Sequence, residues 1–220
     1  MKIGILGGTF NPIHLAHLNI AAAVRDRFTL DRIIFIPAAI PPHKELDGAI
    51  AYADRRAMVA LAIAGEPAFT VSDIEERRGG WSYSVYTLAE LQALHPDDEL
   101  YFIIGSDSFL EIASWYRAAE IFTLSNIVVV ERPQAPLADL LAALPVAMRG
   151  EFCYDSTAMR LTHRSGFSVY YLPGTPLAIS SSEIRRLVRS GQSISHLVPD
   201  AVARYISEKR IYLHDRETDR

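Results

Sequence analysis

Cysteine is almost missing from this chain. Cys153 is the only one among 220 residues, so no intramolecular disulfide can form and nothing points to an oxidising compartment. Long apolar runs are lacking as well. The first apolar stretch is too short for a signal-peptide core and no run approaches a membrane span, so a cytoplasmic protein with no membrane partner is expected. There is no excess of positive charge either. With 22 Lys and Arg against 26 Asp and Glu, the formal net charge is −4, and nucleic-acid binding lacks its usual basic footprint. Any anionic ligand must therefore be held locally. Two common phosphate-binding patterns are also missing. No G-x-x-x-x-G-K-[ST] loop occurs, which argues against a P-loop NTPase. The spacing Gly4-x-x-Gly7-Gly8 is not G-x-G-x-x-G, and the second apolar run, residues 33–36, ends at Pro37 where a dinucleotide-binding fold would carry an acidic residue.

What is present is alternation. Half of the residues are apolar, enough at this length to bury a sheet between two helix layers. A first strand ends at Gly7 and Gly8, and a helix is expected from about 14 to 28, with Ile20, Ala23 and Val24 on one stripe. A strand at 33–36, a Pro-rich loop at 37–48, a helix at about 54–64 and a strand at 69–72 follow. Ser82, Tyr83 and Ser84 lead into a helix through Leu88, Leu91 and Leu94, stopped by Pro96. The continuous apolar runs 100–104 and 127–130 suit central parallel strands covered on both faces. Residues 145–166 show no clean period and read as a surface excursion. A strand at 169–172, a turn at 173–176, helices at about 180–190 and 199–207, and a charged tail at 214–220 complete the chain. The order predicts an α/β fold with a doubly wound parallel sheet and C-terminal helices, one domain over 1–213. In such a sheet ligands bind beyond the carboxyl ends of the strands.

The first of those ends carries the strongest chemical signal. Gly7 and Gly8 have no Cβ, so the backbone can turn sharply and come close to a ligand. The free N–H groups at the start of the next helix would point at an anion in that gap, with the positive end of the helix dipole behind them. His14 and His17 lie three residues apart and share one helix face, so both rings can donate to the same group. A phosphate fits this arrangement.

Gly7-Gly8-Thr9-Phe10-Asn11-Pro12-Ile13-His14-Leu15-Ala16-His17 resembles the G-G-[ST]-F-[DN]-P-x-H-x-G-H segment of the nucleotidyltransferase superfamily. The chain as a whole is similar to the bacterial nicotinate-nucleotide adenylyltransferases. The likeness continues through Pro41-Pro42-His43-Lys44, Ser82-Tyr83-Ser84 with Thr87-Leu88, Gly105-Ser106-Asp107-Ser108-Phe109, Trp115, and Ile179-Ser180-Ser181-Ser182-Glu183-Ile184-Arg185. Ala16 stands where the pattern has glycine, and Ser182 where it more often has threonine. The first adds a methyl group that could narrow the space beside the nucleotide; the second keeps the hydroxyl.

The resemblance implies a Rossmann-like nucleotidyltransferase fold and adenylyl transfer from ATP to nicotinate mononucleotide, giving nicotinate adenine dinucleotide and pyrophosphate in NAD biosynthesis. It implies that His14, His17, Lys44 and Arg185 carry the chemistry. ATP would contact Gly7, Gly8, Thr9, Phe10, His14, His17, Gly105, Asp107, Ile179, Ser180, Ser181 and Arg185; the acceptor would contact Asn11, Lys44, Ser84 and Trp115. Mg²⁺ would arrive with ATP, since no carboxylate cluster calls for a resident metal. Read without the resemblance, several of these residues have a second account. Ser180-x-x-Glu183 is a capping box, Asp107 suits a helix cap, and Trp115 suits the core. Phosphopantetheine or nicotinamide mononucleotide as acceptor, or a non-catalytic nucleotide-binding protein, are the alternative functions, and a homo-oligomer is compatible with the sequence.

Overall fold

The computed structural model describes residues 1–42, 50–137, 139–155, 160–174 and 177–213. The expected tail at 214–220 lies outside the described residues, as do His43 and Lys44. β1 (Lys2–Gly8) leads to α1 (Leu15–Phe28), β2 (Arg32–Pro37), α2 (Tyr52–Ile63) and β3 (Phe69–Val71). Next come α3 (Ile74–Arg78), α4 (Ser84–Leu94), β4 (Glu99–Gly105), α5 (Ser106–Leu110), a 3-10 turn at Ile112–Ser114, α6 (Ala118–Ile121) and β5 (Asn126–Val130). The later elements are α7 (Val146–Arg149), β6 (Phe152–Asp155), β7 (Arg160–His163), β8 (Ser168–Leu172), α8 (Ser181–Arg189) and α9 (Asp200–Glu208).

The strands form one sheet in the order β3-β2-β1-β4-β5-β8-β7-β6. Pairing is parallel from β3 through β8, the doubly wound, Rossmann-like arrangement. Side chains alternate between its faces. Leu6, Ile33, Phe35, Ile103 and Val128 pack with Val24, Met58, Ile184 and Val202 of α1, α2, α8 and α9. Ile3, Ile5, Ile34, Phe102, Ile104 and Ile127 pack with Leu88, Leu91, Phe109 and Ile121 of α4, α5 and α6. Because both faces are covered, the central strands read as unbroken apolar runs.

The surface excursion expected at 145–166 is a correction. That segment contains α7, β6 and β7, and the two strands extend the sheet as an antiparallel hairpin ending beside β8. Both strands are four residues long, and β6 turns Cys153 and Tyr154 to solvent, so no period could form in the sequence. The five- and four-residue helices α3 and α6 went unread for the same reason of length.

The topology reverses between β1 and β4. From β1 the chain moves outward through β2 and β3, then returns to pair β4 on the opposite side of β1. Connections leaving the carboxyl ends of β1 and β4 diverge, and a crevice opens above Gly8 and Gly105. If β7 is an integral strand, truncating its fully buried Leu161 leaves a cavity in the core. Leu161→Ala should then cost about 2–5 kcal/mol in urea unfolding, whereas a surface loop would show less than about 0.5 kcal/mol.

Candidate active site

A cleft of about 1080 Å³ lies over that switch point. Gly7, Gly8, Thr9, Phe10, Asn11, His14 and His17 form one wall, and Gly105 and Asp107 lie at the end of β4. Ile179, Ser180, Ser181 and Arg185 also line it, as do Ser84 and Trp115. Every proposed site residue except Lys44, which is outside the described residues, therefore faces one space.

The glycines work differently from the reading of a sharp turn. Gly7 and Gly8 remain in β1, paired with Ile36 and Pro37 of β2. Neither has a positive φ; the left-handed residue is Phe10, at φ 48. A Cβ on Gly7 would meet only the Phe102 ring, at 4.0 Å, so what the glycine provides is a bare strip of backbone at the cleft wall. The turn is held through its carbonyls. Arg55, 1% exposed, donates Nη1 to the Thr9 carbonyl at 2.7 Å and Nη2 to the Ala38 carbonyl at 2.7 Å, tying the ends of β1 and β2 together. Arg185 donates to the Asn11 carbonyl at 2.9 Å and the Ser181 hydroxyl to the Pro12 carbonyl at 2.9 Å. The two expected phosphate ligands of α8 thus also brace the turn they touch. Ser182, in the place of the usual threonine, accepts from Arg185 at 3.3 Å. Ser180 accepts from the Glu183 N–H at 3.2 Å, the capping role open to it from sequence.

His14 caps α1 and His17 follows in its first turn, with ring centroids 3.7 Å apart. The His14 N–H donates to His17 Nδ1 at 3.3 Å. With Nδ1 accepting, a neutral His17 ring carries its proton on Nε2, where it is a hydrogen-bond donor. One expected donor is spent elsewhere: the Leu15 N–H bonds the Leu197 carbonyl at 2.9 Å, so the helix start offers fewer free N–H groups than anticipated. Burial, then the Arg132 charge, pushes the His14 pKa down to about 4. His17 lies well below its ordinary value through burial, then His14 and Arg132.

Comparison with known proteins agrees with this geometry. A family model described as cytidylyltransferase-like matches residues 5–187. A protein of Geobacter metallireducens named "Probable nicotinate-nucleotide adenylyltransferase" is 61% identical over 216 residues, 98% of this chain and 100% of its own length. One of Geotalea uraniireducens with the same name is 62% identical over 212 residues, 96% of this chain and 98% of its own. The chain belongs to the nicotinate-nucleotide adenylyltransferase family. The fold agrees too: a Plasmodium falciparum nicotinic acid mononucleotide adenylyltransferase solved with NaAD has a TM-score of 0.74 at 20% identity, covering 96% of this chain and 97% of that one.

Arg132 and Tyr116, which line the cleft, escaped the sequence reading. Arg132 follows β5 and lines the cleft; its N–H donates to Ser106 at 2.8 Å, and its Nε lies 4.0 Å from Asp107. A charged pair, Glu131-Arg132, directly after the apolar run 127–130 was the available signal, because strand ends face the ligand. A Cβ on Gly105 would lie 2.3 Å from Asp107 Oδ1 and 3.0 Å from Arg132 Nε, so glycine there leaves room for both. Tyr116 is the second. Its ring stacks on Tyr83 at 4.5 Å, next to Trp115, which is half-buried and edge-on to Phe102 at 6.2 Å. Ser82, also at the cleft, exchanges hydrogen bonds with Ile40 of the Pro-rich loop, at 2.9 and 3.0 Å.

The depressed histidines have a measurable consequence. Unfolded, each binds a proton below its ordinary pKa of 6.5; folded, His14 stays neutral down to about 4. The contribution of His14 to stability is complete above pH 6.5 and is lost as pH falls toward 4, and that of His17, shifted in the same direction, is also lost on the acid side of 6.5. The slope limit is about 1.4 kcal/mol per pH unit for each histidine. Urea unfolding from about pH 8 to about pH 4.5 should show the loss, and a His14→Asn/His17→Asn protein should show a flatter profile. An unchanged slope in that variant would assign the acid sensitivity to other groups.

Proposed function

We propose that this chain transfers the adenylyl group of ATP to nicotinate mononucleotide, forming nicotinate adenine dinucleotide and pyrophosphate, with residues 1–213 acting as one domain. The observation that carries the reading is the convergence of residues scattered from Gly7 to Arg185 on one cleft over the switch point. Family membership supports the acceptor. The name of the relatives specifies nicotinate nucleotide, and a tryptophan at the cleft edge suits an aromatic ring. No helix among the described residues is long and apolar enough to cross a membrane, in keeping with a cytoplasmic NAD-biosynthetic role.

An oxygen of the acceptor's 5′-phosphate attacks the α-phosphorus of ATP. The bond from that phosphorus to the α,β-bridging oxygen breaks, and pyrophosphate leaves with the electron pair. The nucleophile is already anionic at neutral pH, so no base is needed. Bringing two anions together is the difficulty: at 4 Å a unit-charge pair repels by about 4 kcal/mol at an effective dielectric constant near 20. Positioning and charge neutralisation must offset this. His17 donates from Nε2 to the charge developing on the α-phosphoryl oxygens, and His14 supports it from the same face. Arg132 and Arg185 supply fixed positive charge, together with Lys44. Ser180 and Ser181 hold the distal phosphates, while Thr9 and Phe10 offer backbone N–H groups. Asp107 accepts from ribose hydroxyls; Ser84 and Asn11 bind the acceptor beside Trp115. In this reading Mg²⁺ enters as the ATP complex.

Supplying ATP and Mg²⁺ with nicotinate mononucleotide, nicotinamide mononucleotide and phosphopantetheine in parallel tests the assignment. Nicotinate mononucleotide should give the highest kcat/KM, with pyrophosphate and nicotinate adenine dinucleotide formed in equal amounts. Faster adenylylation of phosphopantetheine would move the chain to another branch, and no pyrophosphate with any acceptor would make it a nucleotide-binding protein.

In the same assay His17→Ala should lower kcat on the order of 10²–10³-fold, the effect of removing one preorganised donor. The ring lies at the cleft, so the variant should still fold. Near-normal kcat in a folded variant would remove His17 from the mechanism.

A further inference from the structure

Tyr212 is reached by a short segment beyond α9 in which two non-glycine residues, Arg210 and Tyr212, hold left-handed backbone at φ 52 and 68. L-residues rarely adopt that conformation, and it persists where surrounding contacts over-determine it. The contacts are on the page. Ile211 and Tyr212 are each 7% exposed and belong to the same buried cluster as Phe10 and Ile13. The Tyr212 hydroxyl donates to Asn11 Oδ1 at 2.7 Å, across 201 residues of sequence. Asn11 is buried and lines the cleft in the turn that Arg55 and Arg185 hold by its carbonyls. Both guanidiniums act electrostatically on the Tyr212 phenol, but burial outweighs them and raises its pKa, so the hydroxyl stays a donor.

We propose that Tyr212 is a positioning residue of the active site, fixing the Asn11 carboxamide and with it the turn from Thr9 to Ile13. Its hydroxyl supplies a donor where an oxygen must be held, which orients the amide of Asn11. The segment after α9 thereby belongs to the active centre, although nothing in its sequence carries a nucleotide motif. Tyr205, on α9 itself, provides the contrast. Its hydroxyl bonds Asp54 of α2 at 2.8 Å and anchors the helix without touching the turn.

The proposal rests on the cleft being an ATP site and is tested on two readouts. One is turnover with ATP and nicotinate mononucleotide; the other is the Kd of ATP alone by calorimetry, which does not depend on the acceptor. Wild-type turnover reports on the assigned reaction, and the comparison among variants reports on Tyr212. Tyr212→Phe keeps the ring and removes the hydroxyl. It should fold, lower kcat/KM roughly 10–100-fold and weaken ATP binding, the scale of loss when a reacting group is slightly displaced. Asn11→Ala should show a comparable loss. The double variant should lose no more than Asn11→Ala alone, because Tyr212 acts through Asn11. Tyr205→Phe should lower the Tm while leaving kcat/KM and the ATP Kd unchanged. The proposal is overturned if Tyr212→Phe folds and keeps both constants, if it fails to fold, or if the double variant loses the product of the two single effects.

Discussion

The turn between β1 and α1 is held by a buried positive charge, and the site depends on that constraint. Arg55 contributes no atom to the cleft lining, yet it gathers the Thr9 carbonyl from one strand end and the Ala38 and Ala39 carbonyls from the next. Enclosing a guanidinium costs several kcal/mol unless its charge meets oriented dipoles. Burial lowers the pKa of Arg55, but arginine has ample margin to remain protonated. The carbonyls lose as much as the cation if it is removed, because each would be left buried without its donor. The contact therefore fixes how the chain leaves the ends of β1 and β2, and with it the course of the turn that lines the cleft.

The electrostatics of the cleft follow from what such a chain can place there. Its net charge is negative, so long-range attraction of a triphosphate is not available and the positive potential must be built at the wall. Arginine can supply it when half-buried; histidine in this position cannot. Burial and Arg132 keep both histidines neutral in the free protein, and the bond from the His14 N–H to His17 Nδ1 selects the tautomer that donates from Nε2. Two kinds of donor result: guanidiniums that carry charge, and neutral rings that, in the proposed reaction, would hydrogen-bond more strongly as charge develops on phosphoryl oxygen.

The parts of this design that were legible in sequence are those with local signatures. Central strands announced themselves by unbroken apolar runs, α1 and α4 by their apolar spacing, and the lining of the cleft by Gly7-Gly8, the paired histidines and Ser180-x-x-Glu183. Short antiparallel strands such as β6, with one buried residue at Phe152 and exposed neighbours, have too few positions for any period to emerge. Arg55 and Tyr212 were illegible for a different reason. Neither carries a local signature, and the role of each exists only through partners 16 to 201 positions away. Ser181 and Arg185 were legible as cleft residues, but their bonds to the Pro12 and Asn11 carbonyls were not.

Those long separations have an energetic meaning. A catalytic turn stabilised by its own neighbours could fold and fray locally, and a ligand would then bear the entropy of ordering it. Here the Thr9, Asn11 and Pro12 carbonyls are held by side chains 46, 174 and 169 residues distant. Such contacts exist only once α2 and α8 have docked on the same face of the sheet, so ordering of the turn is part of global folding rather than of binding. The site is preorganised for two anions before either arrives, and the binding free energy of ATP is left for the in-line geometry that the transfer requires.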